Sequence, residues 1–231
     1  MSLSLRICIP TLNRRDKLQV CLNSIFKGAK TDKVKVSIYF GNKEELEFFK
    51  KQLSNIPAVE CNYLESYRVP DFWNARLDEL KEDALLYITD DVEFYDDTIA
   101  NIISEYKSRF PDTDGVMGIT QANIPSSQAV ESAFGVIGTK YANRFPDRQV
   151  WPVDYNAFFC DFELWLFAKK INKFFLSSKA RLFHAHPAFT GEKPDETHTS
   201  IRRFLKTDKK TFETRKSKGY LWGENFHRLT V

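Results

Sequence analysis

The 231-residue chain has no large surplus of charge of either sign. Its 34 Lys and Arg face 31 Asp and Glu, for a formal charge of +3, a balance that argues against a chain built throughout for nucleic acid. No apolar run approaches the ~18 residues of a membrane span, and no signal peptide is read. The four cysteines, Cys8, Cys21, Cys61 and Cys160, form no CxxC pair, which speaks against a zinc cluster. The expected compartment is reducing and cytoplasmic. Internal repeats and low-complexity linkers are missing. Glycine is scarce, and none stands in Pro10-Thr11-Leu12-Asn13, where a nucleotidyltransferase would usually carry a glycine-rich phosphate loop. Phenylalanine, by contrast, is abundant at 20 residues, enough with this length to bury a substantial core.

The most informative stretch is Ala84-Leu85-Leu86-Tyr87-Ile88-Thr89-Asp90-Asp91-Val92. Its apolar run lacks the alternation of a half-exposed strand and reads as a buried one. Two adjacent carboxylates repel each other, so the pair is costly unless solvated or shared with a cation. Carboxyl ends of buried parallel strands are where open α/β sheets bind ligands. A polar strand end before a turn is the plain alternative.

Strand and helix signals alternate over the first hundred residues. Strands are expected at Leu5–Ile9, Val34–Phe40, Ala58–Leu64 and Ala84–Ile88. Helices are marked by Leu18, Cys21, Leu22 and Ile25, then by Leu46, Phe49 and Leu53, then by the run opening at Pro70. Pro10 should end the first strand, and Asn13 should cap the helix that follows. This order implies an α/β fold with a mostly parallel sheet and helices on both faces. Pro10–Arg14, Gly41–Asn42 and Thr89–Asp91 would then meet on one edge. Further on, a helix is expected up to Pro111, strands at Gly115–Thr120, Phe134–Ile137 and Val150–Tyr155, and a helix at Asp161–Ile171. Residues 121–133 should form a loop over the site. Phe174–His186 should end extended, and Asp195–Lys218 should be helical.

Several of these residues, in order, resemble family 2 glycosyltransferases of the GT-A fold, of bacterial or phage type. Pro10-Thr11-Leu12-Asn13-Arg14 is similar to that family's opening. Asn74 lies fifteen residues before Thr89-Asp90-Asp91, which stands in the place of the family's acidic triplet. Asp161-Phe162-Glu163-Leu164 matches a later acidic motif, and His184-Ala185-His186-Pro187 a downstream histidine. The match covers most of residues 4 to 190. It implies a single GT-A domain over 1–231, with a nucleotide-binding half (1–95), an acceptor and catalytic half (96–194) and a basic helical extension (195–231). Three departures stand out. Gly41-Asn42 replaces the acid that reads the nucleotide base, Trp73 replaces an arginine, and Thr89 replaces the first acid. Arg14, Arg68 and Arg76 are candidates to stand in for the arginine.

The resemblance implies a metal-dependent, inverting transfer of a sugar from a nucleotide-sugar donor, UDP-linked by default, to an acceptor hydroxyl. Pro10, Thr11, Asn13, Arg14, Asn42, Asn74, Arg76 and Asp90 would hold the donor, Asp90 at the ribose. Asp91 would hold Mn²⁺ or Mg²⁺, helped by His184 or His186, with His186 favoured. The base that takes the acceptor proton would be Asp161, with Glu163 as competitor. Acceptor candidates are a surface glycan, a lipid-linked sugar or a modified DNA base. From Ile201 to Val231 nine Lys and Arg face three Asp and Glu, so this end suits either an anionic partner or a solvated outer helix. The rival readings are a nucleotidyltransferase of the same fold and an inactive nucleotide-sugar-binding protein.

Overall fold

The structure is a computed structural model and describes residues 3–29, 33–124 and 133–219. Strand and helix alternate as the periodicities predict through β1 (Leu5–Thr11), α1 (Arg15–Gly28), β2 (Val34–Phe40), α2 (Lys43–Leu53), β3 (Val59–Tyr63), α3 (Val69–Asp78) and β4 (Ala84–Tyr87). Then come β5 (Val92–Phe94), α4 (Thr98–Arg109), β6 (Val116–Gln121), β7 (Gly135–Gly138), α5 (Thr139–Ala142) and α6 (Cys160–Lys170). The described chain closes with β8 (Phe174–His184), α7 (Pro187–Thr190), α8 (Glu196–Arg202) and α9 (Leu205–Ser217).

The strands form one sheet in the order β3-β2-β1-β4-β7-β6-β8-β5. Helices cover both faces, as expected. Leu5, Ile7 and Ile9 pack with Leu18, Leu22, Phe49 and Ile102 on one side. Cys8, Leu85 and Tyr87 pack with Phe72, Leu77 and Leu164 on the other. The sheet is mixed, however. It is parallel through β3-β2-β1-β4 and between β6 and β8, while β7 runs antiparallel to β4 and β6, and β5 antiparallel to β8. The mostly parallel expectation thus holds only for the amino-terminal half.

Three local expectations fail for physical reasons. Pro10 lies inside β1, opposite Tyr39. Leu5 N–H points to β2 and Cys8 C=O to β4, so Pro10 turns its missing donor toward β4. That strand has already ended at Tyr87. Asn13 does not cap α1; its backbone is left-handed at φ 54°, and its side chain accepts from Asn42 Nδ2 at 2.9 Å. No strand forms at Val150–Tyr155. Pro152 removes a donor, and the apolar residues there are buried under helices without pairing to a neighbouring strand. Of the loop expected at 121–133, residues 125–132 lie outside the described residues, as do residues 220–231 of the extension.

Candidate active site

Asp90 and Asp91 follow the end of β4 and are 2% and 5% exposed. Burying two adjacent carboxylates demands compensation, and the end of β1 with the turn after it supplies much of it. Thr11 Oγ1 donates to Asp90 Oδ2 at 2.7 Å. Arg14 Nη1 donates to Asp90 Oδ1 at 2.8 Å and to Asp91 Oδ2 at 3.3 Å. Thr89, in place of a third acid, donates its hydroxyl to Asp91 Oδ1 at 2.5 Å. Burial raises the Asp90 pKa against the pull of Arg14, and the neighbouring Asp91 charge adds to the rise. Burial also opposes the Asp91 charge, but hydrogen bonds from His184 and His198 outweigh it and hold this carboxyl well below the ordinary range.

The histidines reach Asp91 through the sheet. Val92 pairs with His184 across β5 and β8, and Ala185 N–H continues the ladder to Asp91 O at 2.8 Å. The Asn123 side-chain amide grips the His184 backbone from both sides, at 2.8 and 3.0 Å. His184 Nδ1 meets Gln121 Oε1 at 2.7 Å, which places a proton on Nδ1. Nε2 faces Asp91 Oδ1 at 3.5 Å. His186 is not the favoured ligand after all. It caps α7, its Nδ1 accepting from Ala188 N–H at 3.1 Å. Burial and the neighbouring histidines push its pKa down to about 4, so the neutral ring carries its proton on Nε2 and offers no free lone pair. His198, read in the sequence only as part of the tail, points Nε2 at Asp91 Oδ2 from 3.2 Å.

Asp195, which opens the helical segment expected at Asp195–Lys218, also reaches the site. It caps α8 by accepting from His198 N–H at 2.8 Å and pairs with Arg14 Nε at 3.1 Å. Burial notwithstanding, the His198 amide and Arg14 bring its pKa down to about 2. A third carboxylate therefore reaches the site from the far end of the chain. Thr197 Oγ1 fastens the same helix to Leu12 O at 2.8 Å. Beside this network opens a cleft of about 580 Å³ lined by Asn13, Arg14, Arg15, Asn42, Glu45 and Asp195, among others. Asn42 caps α2, accepting from Glu44 N–H at 2.8 Å. Glu45 accepts from Asn13 N–H at 2.7 Å, so a buried carboxylate does follow β2, four residues beyond Gly41.

Other candidates lie elsewhere. The Asn74 amide clamps Trp151, donating to its O at 2.7 Å and accepting from its N at 3.0 Å. Both side-chain groups are thus committed to the backbone of the irregular 149–159 segment rather than to the cleft. Asn74→Ala should lower unfolding stability by about 2–4 kcal/mol in urea melts and leave nucleotide affinity unchanged. Arg76 pairs with Glu60 at 3.1 Å, in a buried network with Arg6, Ser37 and Glu82 that excludes it from the donor role. Arg68 holds Val153 O at 2.7 Å. Of the arginines considered, Arg14 stands at the carboxylates.

Glu163 is fully buried between Tyr155 Oη at 2.6 Å and Arg215 Nε at 2.9 Å. A carboxylate so enclosed cannot collect a substrate proton. Asp161 sits in the first turn of α6 and is partly exposed. Burial pushes its pKa up to about 6, against two backbone N–H donors, its own and that of Phe162. It lies close enough to Tyr87, at the end of β4, for its charge to raise that phenol's pKa.

With this geometry in view, the resemblance to solved structures can be weighed. A mannosyltransferase from Pyrobaculum calidifontis, PcManGT, solved with GDP-Man and Mn²⁺, superposes with TM-score 0.64 over 87% of this chain and 60% of its own, at 14% identity. The structure of S. aureus TarS 1–349 gives TM-score 0.64 over 80% of this chain and 61% of that one, at 15% identity. The same TarS fragment in complex with UDP-GlcNAc gives 0.62 over 86% and 61%, at 15% identity. The chain shares their fold. It spans about 60% of the length of these structures. No family model matches it, and no curated protein matches it significantly in sequence. Among the described residues no helix is long and apolar enough to cross a membrane.

The side chains around Asp91 are carboxylate and imidazole, donor types that a divalent cation accepts. Two imidazole Nε2 atoms converge on one carboxylate, those of His184 at 3.5 Å and His198 at 3.2 Å. Carboxylate with imidazole suits Mn²⁺ better than Mg²⁺. No three ligand side chains stand in closed metal geometry among the described residues. Arg14 lies against the same oxygens and would have to yield. His198→Ala should weaken Mn²⁺ binding about tenfold or more by calorimetry, while His186→Asn, which keeps a cap, should leave it within about twofold.

Proposed function

We propose that the protein transfers a sugar from a nucleotide-sugar donor to an acceptor hydroxyl, with a divalent cation and with inversion. The observation that carries this reading is the buried Asp90–Asp91 pair, joined by Arg14, His184 and His198 beside the cleft. The shared fold with proteins solved with UDP-GlcNAc and with GDP-Man supports it.

In this reading the nucleotide lies in the cleft against Asn13, Asn42 and Glu45. Asp90 approaches the ribose. Arg14 swings from the carboxylates to the diphosphate, a bidentate partner that guanidinium geometry favours. Asp91, His184 and His198 would hold the cation, which would offset the charge of the departing diphosphate. Asp161 takes the acceptor proton, its raised pKa bringing it nearer neutral pH than an ordinary carboxylate. Tyr155, Trp151 and Phe159 belong to the packed interior behind it. The 1–95, 96–194 and 195–231 divisions then describe one working unit, since Asp195 and His198 complete the amino-terminal site.

The test is donor turnover with UDP-GlcNAc and GDP-Man, with Mn²⁺ and with EDTA. Sugar release that needs Mn²⁺ supports the reading; release at an undiminished rate in EDTA removes the cation. A nucleotidyltransferase would instead form the donor from a sugar phosphate and a nucleoside triphosphate, and the missing glycines after β1 count against it.

A further inference from the structure

The inner face of α9 carries Asp208, Phe212 and Arg215, all buried, at i, i+4 and i+7 on one helical stripe. Each touches the irregular segment that leads into Asp161. Asp208 Oδ2 accepts from three successive backbone amides, Asn156, Ala157 and Phe158, at 3.1, 2.9 and 2.9 Å. Its Oδ1 accepts from Asn156 Nδ2 at 2.8 Å. This is an anion nest filled by the protein's own carboxylate. Phe212 stacks on Phe159 at 5.6 Å and meets Phe162 edge-on at 5.2 Å. Phe159 itself is left-handed at φ 67°, a conformation a bulky residue keeps only when its surroundings enforce it. One turn into α6, Arg215 grips both oxygens of Glu163 at 2.9 Å and Asp154 at 2.7 Å.

Residues on both sides of Asp161 are therefore tied to α9, which is more than the burial of a helix requires. An apolar stripe would bury the helix equally well, whereas a buried acid and a buried arginine fix backbone amides and a carboxylate in one arrangement. We propose that Asp208 and Arg215 are positioning residues, and that α9 serves as the template that sets the Asp161 carboxyl at the reacting centre. The proposal rests on reading Asp161 as the base. It assigns the basic tail two faces. The inner one shapes the site, and the outer one, with Lys206, Lys209, Lys210 and Lys216, is solvated.

The experiment compares the full chain with Asp208→Asn, Arg215→Lys and the outer-face control Lys210→Ser. Four quantities are read: the melting transition, UDP affinity with Mn²⁺, amide exchange over 154–163, and titration of the Asp161 carboxyl by ¹³C NMR, followed by kcat for transfer. Both inner-face variants should bind UDP within about twofold of wild type and exchange faster at 156–163 alone. Their Asp161 titration should shift, and kcat should fall about 10- to 100-fold, with Lys210→Ser unchanged throughout. Faster exchange with unchanged kcat and unchanged Asp161 titration would make α9 a brace only and overturn the proposal. Should both variants fail to fold, Phe212→Leu, which leaves no buried charge unpaired, takes the same readouts. A wild type that transfers no sugar defeats the assigned reaction, and the Asp161 titration then decides the positioning claim by itself: a shift in the variants upholds it, and no shift overturns it.

Discussion

Asp91→Asn should reduce sugar transfer by at least about 10³-fold and abolish calorimetric Mn²⁺ binding. Asp91 is the point on which Arg14, His184, His198 and Thr89 converge. An amide of the same shape removes the charge that all of them address. Arg14 would then have Asp90 and Asp195 alone as carboxylate partners. With one anion fewer holding it, the guanidinium should yield more readily to a diphosphate. UDP affinity without metal should therefore be kept or raised, since one buried anion no longer repels the diphosphate. Folding should suffer, because the lowered Asp91 pKa means that its ionised form stabilises the folded protein, and an amide leaves the four donors around it facing a neutral group. A variant that keeps turnover near the wild-type rate, in EDTA as well as in Mn²⁺, would remove Asp91 from the chemistry.

The amino-terminal half could be read from sequence because its signals are local. Strand runs such as Val34–Phe40 and the helical spacing of Leu18, Leu22 and Ile25 need no knowledge of distant partners. Asp90 and Asp91 stand out in the sequence because a buried apolar run leads straight into them. The residues that were missed act across great sequence distance. Arg14 and His198 meet over 184 positions, and no periodicity announces that encounter. A signal was available nonetheless. The chain has only four histidines, and Asp195 three residues before His198 is a capping spacing. The sequence offers Arg215 only within the basic tail, and the spacing of Asp208, Phe212 and Arg215 is what marks the buried face of α9. Asn74 misled in the opposite direction. It matched a family position, yet in the structure its amide is fully engaged by the Trp151 backbone.

Asp161→Asn should abolish transfer, with a loss of about 10³-fold or more, while donor affinity stays within about twofold. The pH dependence gives this prediction its discriminating power. A base must be unprotonated, so with its pKa raised to about 6 wild-type kcat should fall as pH drops below that value. Stability should run the other way. The folded protein holds the Asp161 proton more tightly than the unfolded chain, whose ordinary value is 3.8. The burial penalty is thus absent below about pH 4, grows between pH 4 and 6, and is complete above. Asparagine never ionises, so Asp161→Asn should be more stable than wild type at pH 8 by about 2 kcal/mol, a partly exposed side chain keeping the gain below the full shift. At pH 4 the two should melt alike. A residue kept at that cost to the fold, and needed ionised for turnover, behaves as a base would. A variant that transfers at the wild-type rate, or gains no stability at pH 8, would return Asp161 to the role of a helix-capping acid and require the proton acceptor to be sought elsewhere along the cleft.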